Sequence, residues 1–488
     1  MFGVVFFGRI TRTKMHYCGD KVRKWYKPFG LICVVFAFCI GATAGASTTM
    51  EECCDRCVGG RELKILPSMS LQAVNDLDLK PGDRVLFARG GVWRGQLVPK
   101  SGERGRPIVY GAFGTGPKPV IEPSYAKDTE ADWTDAGYGL WRAESGARED
   151  IGNIIFDHGV AGCAFKRDRR EHVKNDLDFW CDPDTRAVFL WSERNPATRF
   201  SSLELCEKIH AVRSSGGHDI ELDGLWIRYS GAHGVGVTKV ARFNVRNCDI
   251  SWIGGGIQYG DDHGNGVRFG NGIEFWADAE DCTVERNRLW EIWDAALSNQ
   301  SHRDGHVQRN IRWLKNEVWN SEYSFEYWQS SETSVTDCII VKDNLFRDAG
   351  SGWGHRQRWN PNAAHLMLYD NCAKMTGGFI VEGNVFSRSK DTLMRLFNDW
   401  RGSMTFRDNI WRADGESLCR YHGRPVRGLK YLYPMRLDRA HDDNLAEIES
   451  QTVNSPRLFA SNQLAEFMSF LNDDGDAART SEDGRQGP

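Results

Sequence analysis

The sequence has few prolines, little net charge and no apolar stretch long enough to span a bilayer. It contains 15 prolines against 51 glycines among 488 residues, which is typical of a turn-rich β protein rather than a disordered chain. Its net charge of −4 provides no overall field that would favour nucleic acid. The motifs of phosphate-binding loops, zinc-protease helices and nucleophile elbows are also missing. The sequence therefore offers no support for those three kinds of site.

The longest apolar run, residues 29–40, has the features of a targeting segment. A basic stretch precedes it at residues 21–27, and the small residues Ala-Gly-Ala follow at positions 44–46. We therefore predict a signal peptide over residues 1–46, with Met15 as a possible true start. Because the run is short for a membrane span, we expect cleavage, no stable membrane insertion, and a secreted or periplasmic protein.

The chain has 14 cysteines, of which three would be lost with the leader. The 11 that remain are an odd number, so they cannot all pair within one chain. A Cys-containing linker is predicted over residues 47–60, where Cys53, Cys54 and Cys57 form a cluster. A single C-x-x-C without a second half is insufficient evidence for a metal site.

A short phrase recurs through residues 242–411 with an asparagine at the same place. Each copy has alternating apolar residues rich in Val, Ile, Phe and Trp, and none has a helical 3.6-residue stripe, so the phrases predict strands. Spacings of 25 to 40 residues indicate stacked repeats of a parallel β-helix. An asparagine suits the corner of each coil because it tolerates left-handed backbone and can bond along the stack. The asparagines are Asn247, Asn287, Asn316, Asn344, Asn384 and Asn409.

The opening of the chain carries a more specific resemblance. Residues 79–121 contain a Pro-Gly-Asp turn, a G-x-W-x-G segment around Trp93, an S-G-x-x-G-x-P turn and a closing Pro-Val-Ile. This segment resembles the first coils of right-handed parallel β-helix carbohydrate-active proteins, the pectate-lyase-like group that includes lyases, epimerases and glycoside hydrolases. The resemblance implies an all-β, right-handed parallel β-helix that acts on or binds carbohydrate.

The strand pattern divides the chain into four further parts. We predict an N-terminal cap and first coils over residues 61–122, and a small β-rich insertion over 123–210 where the period lapses. The main coils are expected over 211–439. A C-terminal cap and a polar, disordered tail are expected over 440–488.

Two matching strands place acidic residues on the outer surface. If Ile273, Phe275, Phe325 and Tyr327 face inward, the two-residue period directs Glu274 and Glu326 outward. The strand between them begins at Asp294, so three carboxylates are expected on one face, with the two glutamates about 9–10 Å apart. Such a cluster suits glycoside hydrolysis, which needs one carboxyl group as acid and another as base or nucleophile.

Other polar and aromatic residues are expected around the carboxylates as carbohydrate contacts. A Gly-rich loop at residues 254–266 could act as a lid, carry a proton through His263, or hold Ca²⁺ weakly through Asp261 and Asp262. Otherwise no cofactor or metal is expected. The candidate substrate-binding residues are His233, Gln258, His263, Asn271, Trp276, Asn299, Tyr323 and Trp328.

Three functions are compatible with these patterns. The favoured prediction is a secreted, monomeric glycoside hydrolase acting on a polysaccharide or oligosaccharide, with Glu326 as the acid and Asp294 as nucleophile or base. A polysaccharide lyase or uronate epimerase, with or without Ca²⁺, is an alternative that needs a strong base and a cation for the uronate carboxylate. A non-catalytic glycan-binding or adhesin-like solenoid is the third. Candidate groups for the lyase alternative are His233, Lys239, Arg228, Arg268 and Arg356.

Overall fold

The computed structural model describes residues 60–260, 266–371, 373–396, 404–412, 417–421 and 424–426. The predicted leader, the cysteine cluster at 53–57, the tail from 440, and Asp261, Asp262 and His263 lie outside the described residues. Helices are few and short: α1 (Leu71–Asn75), α2 (Pro196–Arg199), α3 (Trp353–Gln357) and 3₁₀ turns at Glu130–Asp132, Asp157–Gly159 and Arg170–His172. Among the described residues, no helix has the length and hydropathy that crossing a bilayer requires.

Strands make up most of the described part of the chain. The first group is β1 (Glu62–Ile65), β2 (Arg84–Ala88), β3 (Val92–Arg94), β4 (Ile108–Phe113) and β5 (Val120–Glu122). The second is β6 (Ser124–Ala126), β7 (Thr134–Asp135), β8 (Leu140–Ala143), β9 (Ile151–Phe156), β10 (Phe165–Lys166), β11 (Asp178–Cys181), β12 (Val188–Trp191) and β13 (Leu203–Glu207).

The third and largest group follows from residue 212 onward. It comprises β14 (Val212–Ser215), β15 (His218–Asp223), β16 (Trp226–Ser230), β17 (Val235–Arg246), β18 (Asp249–Ile253), β19 (Gly256–Gly260), β20 (Gly266–Phe269), β21 (Ile273–Glu285), β22 (Arg288–Ser301), β23 (Val307–Leu314), β24 (Glu317–Gln329), β25 (Val335–Lys342), β26 (Leu345–Ala349), β27 (Ala364–Asn371), β28 (Lys374–Met375), β29 (Phe379–Glu382), β30 (Val385–Ser389), β31 (Thr392–Leu396), β32 (Met404–Arg407), β33 (Ile410–Arg412), β34 (Ser417–Tyr421) and β35 (Arg424–Val426).

Apart from the antiparallel β19–β20 hairpin and β35, the strands of the first and third groups form three parallel ladders, which we call sheets A, B and C. One coil passes from residues 273–276 in sheet C to 279–285 in sheet A and 288–292 in sheet B, then returns to sheet C at 297–301. Later coils repeat the same order with parallel pairing. This pattern confirms the predicted parallel β-helix, in which each coil adds one rung of about 4.8 Å.

All three large insertions leave the solenoid at the corner between sheets B and C. The segment from β6 to β13 separates β5 of sheet B from β14 of sheet C. The β19–β20 hairpin separates β18 from β21, and α3 lies between β26 and β27. Because the last two insertions lengthen their coils, they account for the two 40-residue spacings in the sequence.

The first insertion is the β-rich element that the sequence predicted. Its strands form a three-stranded antiparallel sheet of β6, β13 and β9, and a five-stranded sheet of β10, β11, β12, β8 and β7. It has its own apolar core, which includes Ile154, Phe156, Phe179 and Leu205. The main core lies inside the coils, where Ile273, Phe275, Phe325 and Tyr327 are fully buried as predicted.

A ladder of buried asparagines runs up the corner between sheets A and B. Each member donates from Nδ2 to the Oδ1 of the next, at 3.0 Å from Asn287 to Asn316 and 2.8 Å from Asn344 to Asn384. Each also donates to a backbone carbonyl group of an earlier coil; Asn316, for example, donates to Val284 at 3.0 Å. The members are Asn287, Asn316, Asn344, Asn384 and Asn409.

Two details of the predicted corner were wrong. Asn247 stands one position before the ladder, where its φ is 51° and its side chain donates to Asp223. The ladder position of that coil is Cys248, whose N–H donates to Asn287 at 2.8 Å. The left-handed residue is in each case the one before the ladder position, as in Lys315 with φ of 53°. The ladder asparagines are therefore selected for bonding along the stack and not for backbone conformation.

Candidate active site

A cleft of about 1260 Å³ lies over the outer surface of sheet C. Its floor is built from β21, β22, β24 and β27, and all three insertions contribute to its walls. The first insertion supplies residues 165–168, the hairpin supplies Gln258 and Tyr259, and the segment after α3 supplies residues 357–362. The shared corner of departure explains why elements so distant in sequence meet at one site.

The three predicted carboxylates meet on the floor of this cleft. Glu274 pairs in register with Ser298, and Ser298 pairs with Glu326, so the glutamates are two rungs apart, or about 9.5 Å between backbones. Asp294 lies directly before Ala295, where the intermediate rung enters sheet C. All three side chains line the cleft. The sequence therefore located the cluster correctly, because the two-residue period extends through each strand.

At the start of β21, Glu274 accepts one hydrogen bond and has an imidazole close by. The Asn271 Nδ2 donates to it at 2.5 Å, and the orientation of this amide is fixed because its Oδ1 accepts the N–H of Ala295 at 3.0 Å. His233 Nε2 lies 3.3 Å from the other carboxylate oxygen. Burial raises the pKa of Glu274 to about 7, against the hydrogen bond from Asn271 and together with the charge of Asp294.

The imidazole of His233 next to Glu274 is neutral. Its Nδ1 accepts the N–H of Asn271 at 2.8 Å, which places the ring proton on Nε2, facing the carboxylate. Burial, together with the neighbouring His210, lowers the pKa of His233 well below its usual range. His233 thus lines the cleft as predicted, and its described contact is with a carboxylate.

Glu326, like Glu274, accepts one hydrogen bond and has a raised pKa. Gln300 Nε2 donates to it at 2.7 Å, and the side chain is only 7% exposed. Burial raises the pKa of Glu326 well above its usual range, and the charges of Asp294 and Glu274 raise it further. The surroundings of this carboxyl group, which lines the cleft, therefore favour its protonated form.

Asp294 forms an ion pair with a cation that the sequence did not identify. Arg358 Nη2 donates to Asp294 at 2.7 Å and to the carbonyl group of Trp293 at 2.7 Å. Burial opposes the charge of Arg358, but Asp294 and Glu322 raise its pKa above the usual range. Asp294 is 25% exposed at its side chain, so it is the most accessible of the three carboxylates.

A further buried carboxylate, that of Glu322, lies behind Arg358. Glu322 accepts the N–H of Asn362 at 2.7 Å and a hydrogen bond from His355 at 2.9 Å, and it lies 3.8 Å from Arg358. Although burial opposes its charge, His355 and Arg358 lower the pKa of Glu322. A chain of polar contacts thus runs from His355 through Glu322 and Arg358 to Asp294.

The aromatic residues of the floor stand at the far end of the same strands. Trp276 pairs with Gln300, which pairs with Trp328, one column beyond the carboxylates. Both indole rings contact His302, at centroid distances of 5.0 and 3.6 Å. His302 itself lines the cleft, a position to which the sequence assigned no role.

Of the other described residues predicted to contact carbohydrate, all but one line the cleft. Gln258, Asn271 and Tyr323 line it, and Tyr323 donates to Asn362 at 2.5 Å. Asn299 was wrongly predicted as a sugar contact. It pairs in register with Phe275 and Tyr327, faces the core, and accepts the indole N–H of Trp313 at 2.8 Å.

Most residues suggested for the lyase alternative lie away from the cleft. Lys239 is exposed and Arg228 forms an ion pair with Glu122; neither is among the cleft residues. Arg356 is also exposed and outside the lining. Arg268 does line the cleft, but it is engaged by the carbonyl groups of Gly255 and Gly152.

The cleft walls are fastened to one another by buried polar side chains. Arg268 of β20 donates to Gln357 at 2.9 Å, and Gln357 donates to Ala164 of the first insertion at 2.8 Å. Asp150 accepts the N–H of Ile257 in the hairpin at 2.8 Å and pairs with Lys166. These bonds hold the three walls as one unit around the carboxylates.

No cluster of three or more His, Cys, Asp or Glu side chains suited to a metal occurs among the described residues. The residues considered for Ca²⁺, Asp261 and Asp262, are outside that part of the chain.

Comparison with known proteins gives matches in structure but not in sequence. No family model and no curated protein matches the chain. The complex structure of XylC with xylose matches with a TM-score of 0.45 and 10% identity, over 74% of this chain and 70% of that one. The alginate lyase from Paenibacillus sp. str. FPU-7 matches with a TM-score of 0.43 and 12% identity, over 74% and 91%.

A solved structure described as a glycoside hydrolase matches with a TM-score of 0.37 and 10% identity, over 78% of this chain and 100% of that one. The likeness concerns the fold alone. The matched structures include some described as lyases and one described as a glycoside hydrolase.

Proposed function

We propose that the protein is a secreted glycoside hydrolase that cleaves a polysaccharide or oligosaccharide in the cleft over sheet C. One observation carries the proposal: Glu274, Asp294 and Glu326 converge there in unequal environments. Hydrolysis of a glycosidic bond needs one protonated and one ionised carboxyl group, and environments that differ in this way supply both.

In the proposed mechanism, Glu326 is the general acid, and Glu274 acts in its ionised form. The raised pKa of Glu326 keeps it protonated near neutral pH, so that it can donate to the leaving-group oxygen. Asp294, paired with Arg358, acts as the nucleophile or as the base that activates water. Glu274, held by Asn271 and His233, stabilises the positive charge that develops on the sugar ring.

The charges of the cleft favour a neutral sugar over a uronate. Each described Lys or Arg of the lining already has a partner. Lys166 pairs with Asp150, Arg167 with Asp178 and Arg358 with Asp294, and Arg268 donates to carbonyl groups. A uronate carboxylate in the cleft would lie near Asp294 and Glu274 without a free cation from this set, and ionised carboxylates at short range repel each other.

A product assay tests the proposal directly. The protein is incubated with xylan, β-glucan, mannan, pectate and alginate while reducing ends and the absorbance of unsaturated uronate are followed together. We expect new reducing ends without the chromophore, and their loss in Glu326→Gln. Formation of the chromophore, with activity retained in Glu326→Gln, would replace hydrolysis by β-elimination.

A further inference from the structure

Two aromatic rings are exposed to solvent at the rim of the cleft. Trp359 is 83% exposed and Tyr259 is 58% exposed, and both belong to the lining. Among the described residues only one other aromatic side chain is so exposed, Tyr138 of the first insertion, which lies outside the lining. Single exposed apolar residues need no explanation, but two aromatic rings at the mouth of one cleft are a more specific arrangement.

Trp359 is carried on a segment that is fixed on both sides. Before it, Gln357 donates to Ala164 and Arg358 donates to Trp293 and Asp294. After it, Asn362 donates its N–H to Glu322 and accepts from Tyr323. The exposed ring therefore sits between anchored neighbours, and binding a ligand on it would cost little ordering of the backbone.

The rim rings and the floor rings lie on opposite sides of the carboxylates. Residue 359 belongs to the insertion at the corner between sheets B and C, where Asp294 also lies. Trp276 and Trp328 come two residues after Glu274 and Glu326, so they are about 7 Å further along the strands, away from that corner. The reacting groups are thus flanked by aromatic surfaces along the strand direction.

We propose that Trp359, with Tyr259 on the facing hairpin, forms an additional sugar-binding subsite next to the reaction centre. The ligand would be a pyranose unit of a neutral glycan, whose C–H face packs on the indole ring. This inference rests on the proposed function for the identity of the ligand. It adds that the substrate extends beyond the carboxylates, past Arg358 and over the rim.

The test measures binding separately from catalysis, in the Glu326→Gln background. Isothermal titration with xylohexaose, cellohexaose and mannohexaose compares Trp359→Ala, Tyr259→Ala and Tyr138→Ala. For the hexaose that binds, we expect Trp359→Ala to raise Kd about tenfold and Tyr259→Ala to raise it about threefold, whereas Tyr138→Ala leaves it unchanged. The two tyrosines form a matched pair, since both are exposed and only one lines the cleft.

Oxidation by N-bromosuccinimide with mass-spectrometric mapping provides a second measurement on the unaltered Trp359. We expect rapid oxidation of this indole and its protection by the bound hexaose. An unchanged Kd for Trp359→Ala, or equal oxidation with and without ligand, would overturn the subsite even if the product assay shows hydrolysis. Failure of all three hexaoses to bind would overturn it as well. If the hexaose binds and protects Trp359 but no polymer is cleaved, the subsite stands and the hydrolase proposal fails.

Discussion

The corner between sheets A and B and the outer surface of sheet C both carry a column of buried polar side chains. In the corner, each amide group donates to the next one along the stack. Asn316, for example, donates to Asn344 and to a backbone carbonyl group. On sheet C the stacked groups are acids: Glu274 and Glu326 are only 6% and 7% exposed, and Asp294 lies between them. The same rung spacing therefore stabilises the fold where donors meet acceptors, whereas on sheet C burial, together with the neighbouring acids, raises the pKa values of the glutamates.

The largest effect is expected from removing the acid of the cleft that pairs with Arg358. We expect Asp294→Asn to lower kcat by about 10³-fold, because it removes the proposed nucleophile or base and leaves Arg358 without its partner in the cleft. Steady-state kinetics on the polymer found by the product assay measures this loss. Asp281→Asn, at an acid that pairs with Arg104 outside the lining, should leave kcat unchanged. Equal losses in both variants would contradict the assignment.

The complementary change removes one step of the asparagine ladder. Asn344→Ala leaves the Asn316 amide and the Trp313 carbonyl group without their partners inside the protein, which should cost about 3 kcal/mol in free energy of unfolding. Chemical denaturation measures the cost. Activity per folded molecule should remain that of the wild type, since the ladder lies at another corner. A loss of activity without a loss of stability would show that the two columns are not separable.

A smaller effect is expected behind the cleft. Glu322→Gln removes the charge that faces Arg358 but keeps an acceptor for the Asn362 N–H. We expect kcat to fall about tenfold with KM unchanged, because Arg358 loses part of what orients it toward Asp294. The acid side of the pH–rate profile should shift as well. A change in thermal stability alone, with both kinetic constants preserved, would limit Glu322 to a structural role.

The smallest expected effect is on the pH dependence of stability in the Glu326→Gln variant. The pKa of Glu326 is raised in the folded protein, so the unfolded chain ionises first and wild-type stability falls as pH rises above about 4.3. Glu326→Gln does not ionise and should escape this loss. Its Tm should equal that of the wild type near pH 4 and exceed it by about 2–4 °C at pH 7. Calorimetry at both pH values checks the sign, which would be reversed if the carboxylate were the stabilised form.

The periodic parts of the molecule were predictable from the sequence. Repeated strands identified the parallel β-helix, and the two-residue period placed Glu274 and Glu326 on one outer column. The same rule, had it been applied to Asn299, would have directed it inward beside Phe275. Asn247 was wrongly assigned to the ladder because, in the sequence, an asparagine at the left-handed position cannot be told from one at the ladder position one residue later.

The parts that were missed belong to the insertions. Arg358 and Trp359 follow α3 in a segment with no repeat and no motif, so their position depends on tertiary contacts alone. The one signal in the sequence was the 40-residue spacing between Asn344 and Asn384. It indicated an insertion but not the part of the fold against which the insertion packs. The structure shows where it packs: all three insertions leave the solenoid at the corner between sheets B and C, and all three therefore lie over sheet C.

The most direct measurement of the central claim compares Glu326→Gln with the wild type on two leaving groups. The substrates are the natural polymer and a 2,4-dinitrophenyl glycoside of the same sugar, whose leaving group departs without protonation. If Glu326 is the general acid, kcat should fall about 10³-fold on the polymer and by less than about tenfold on the activated glycoside. Equal losses on both substrates would show that Glu326 does not donate the proton and would contradict this account of the cleft.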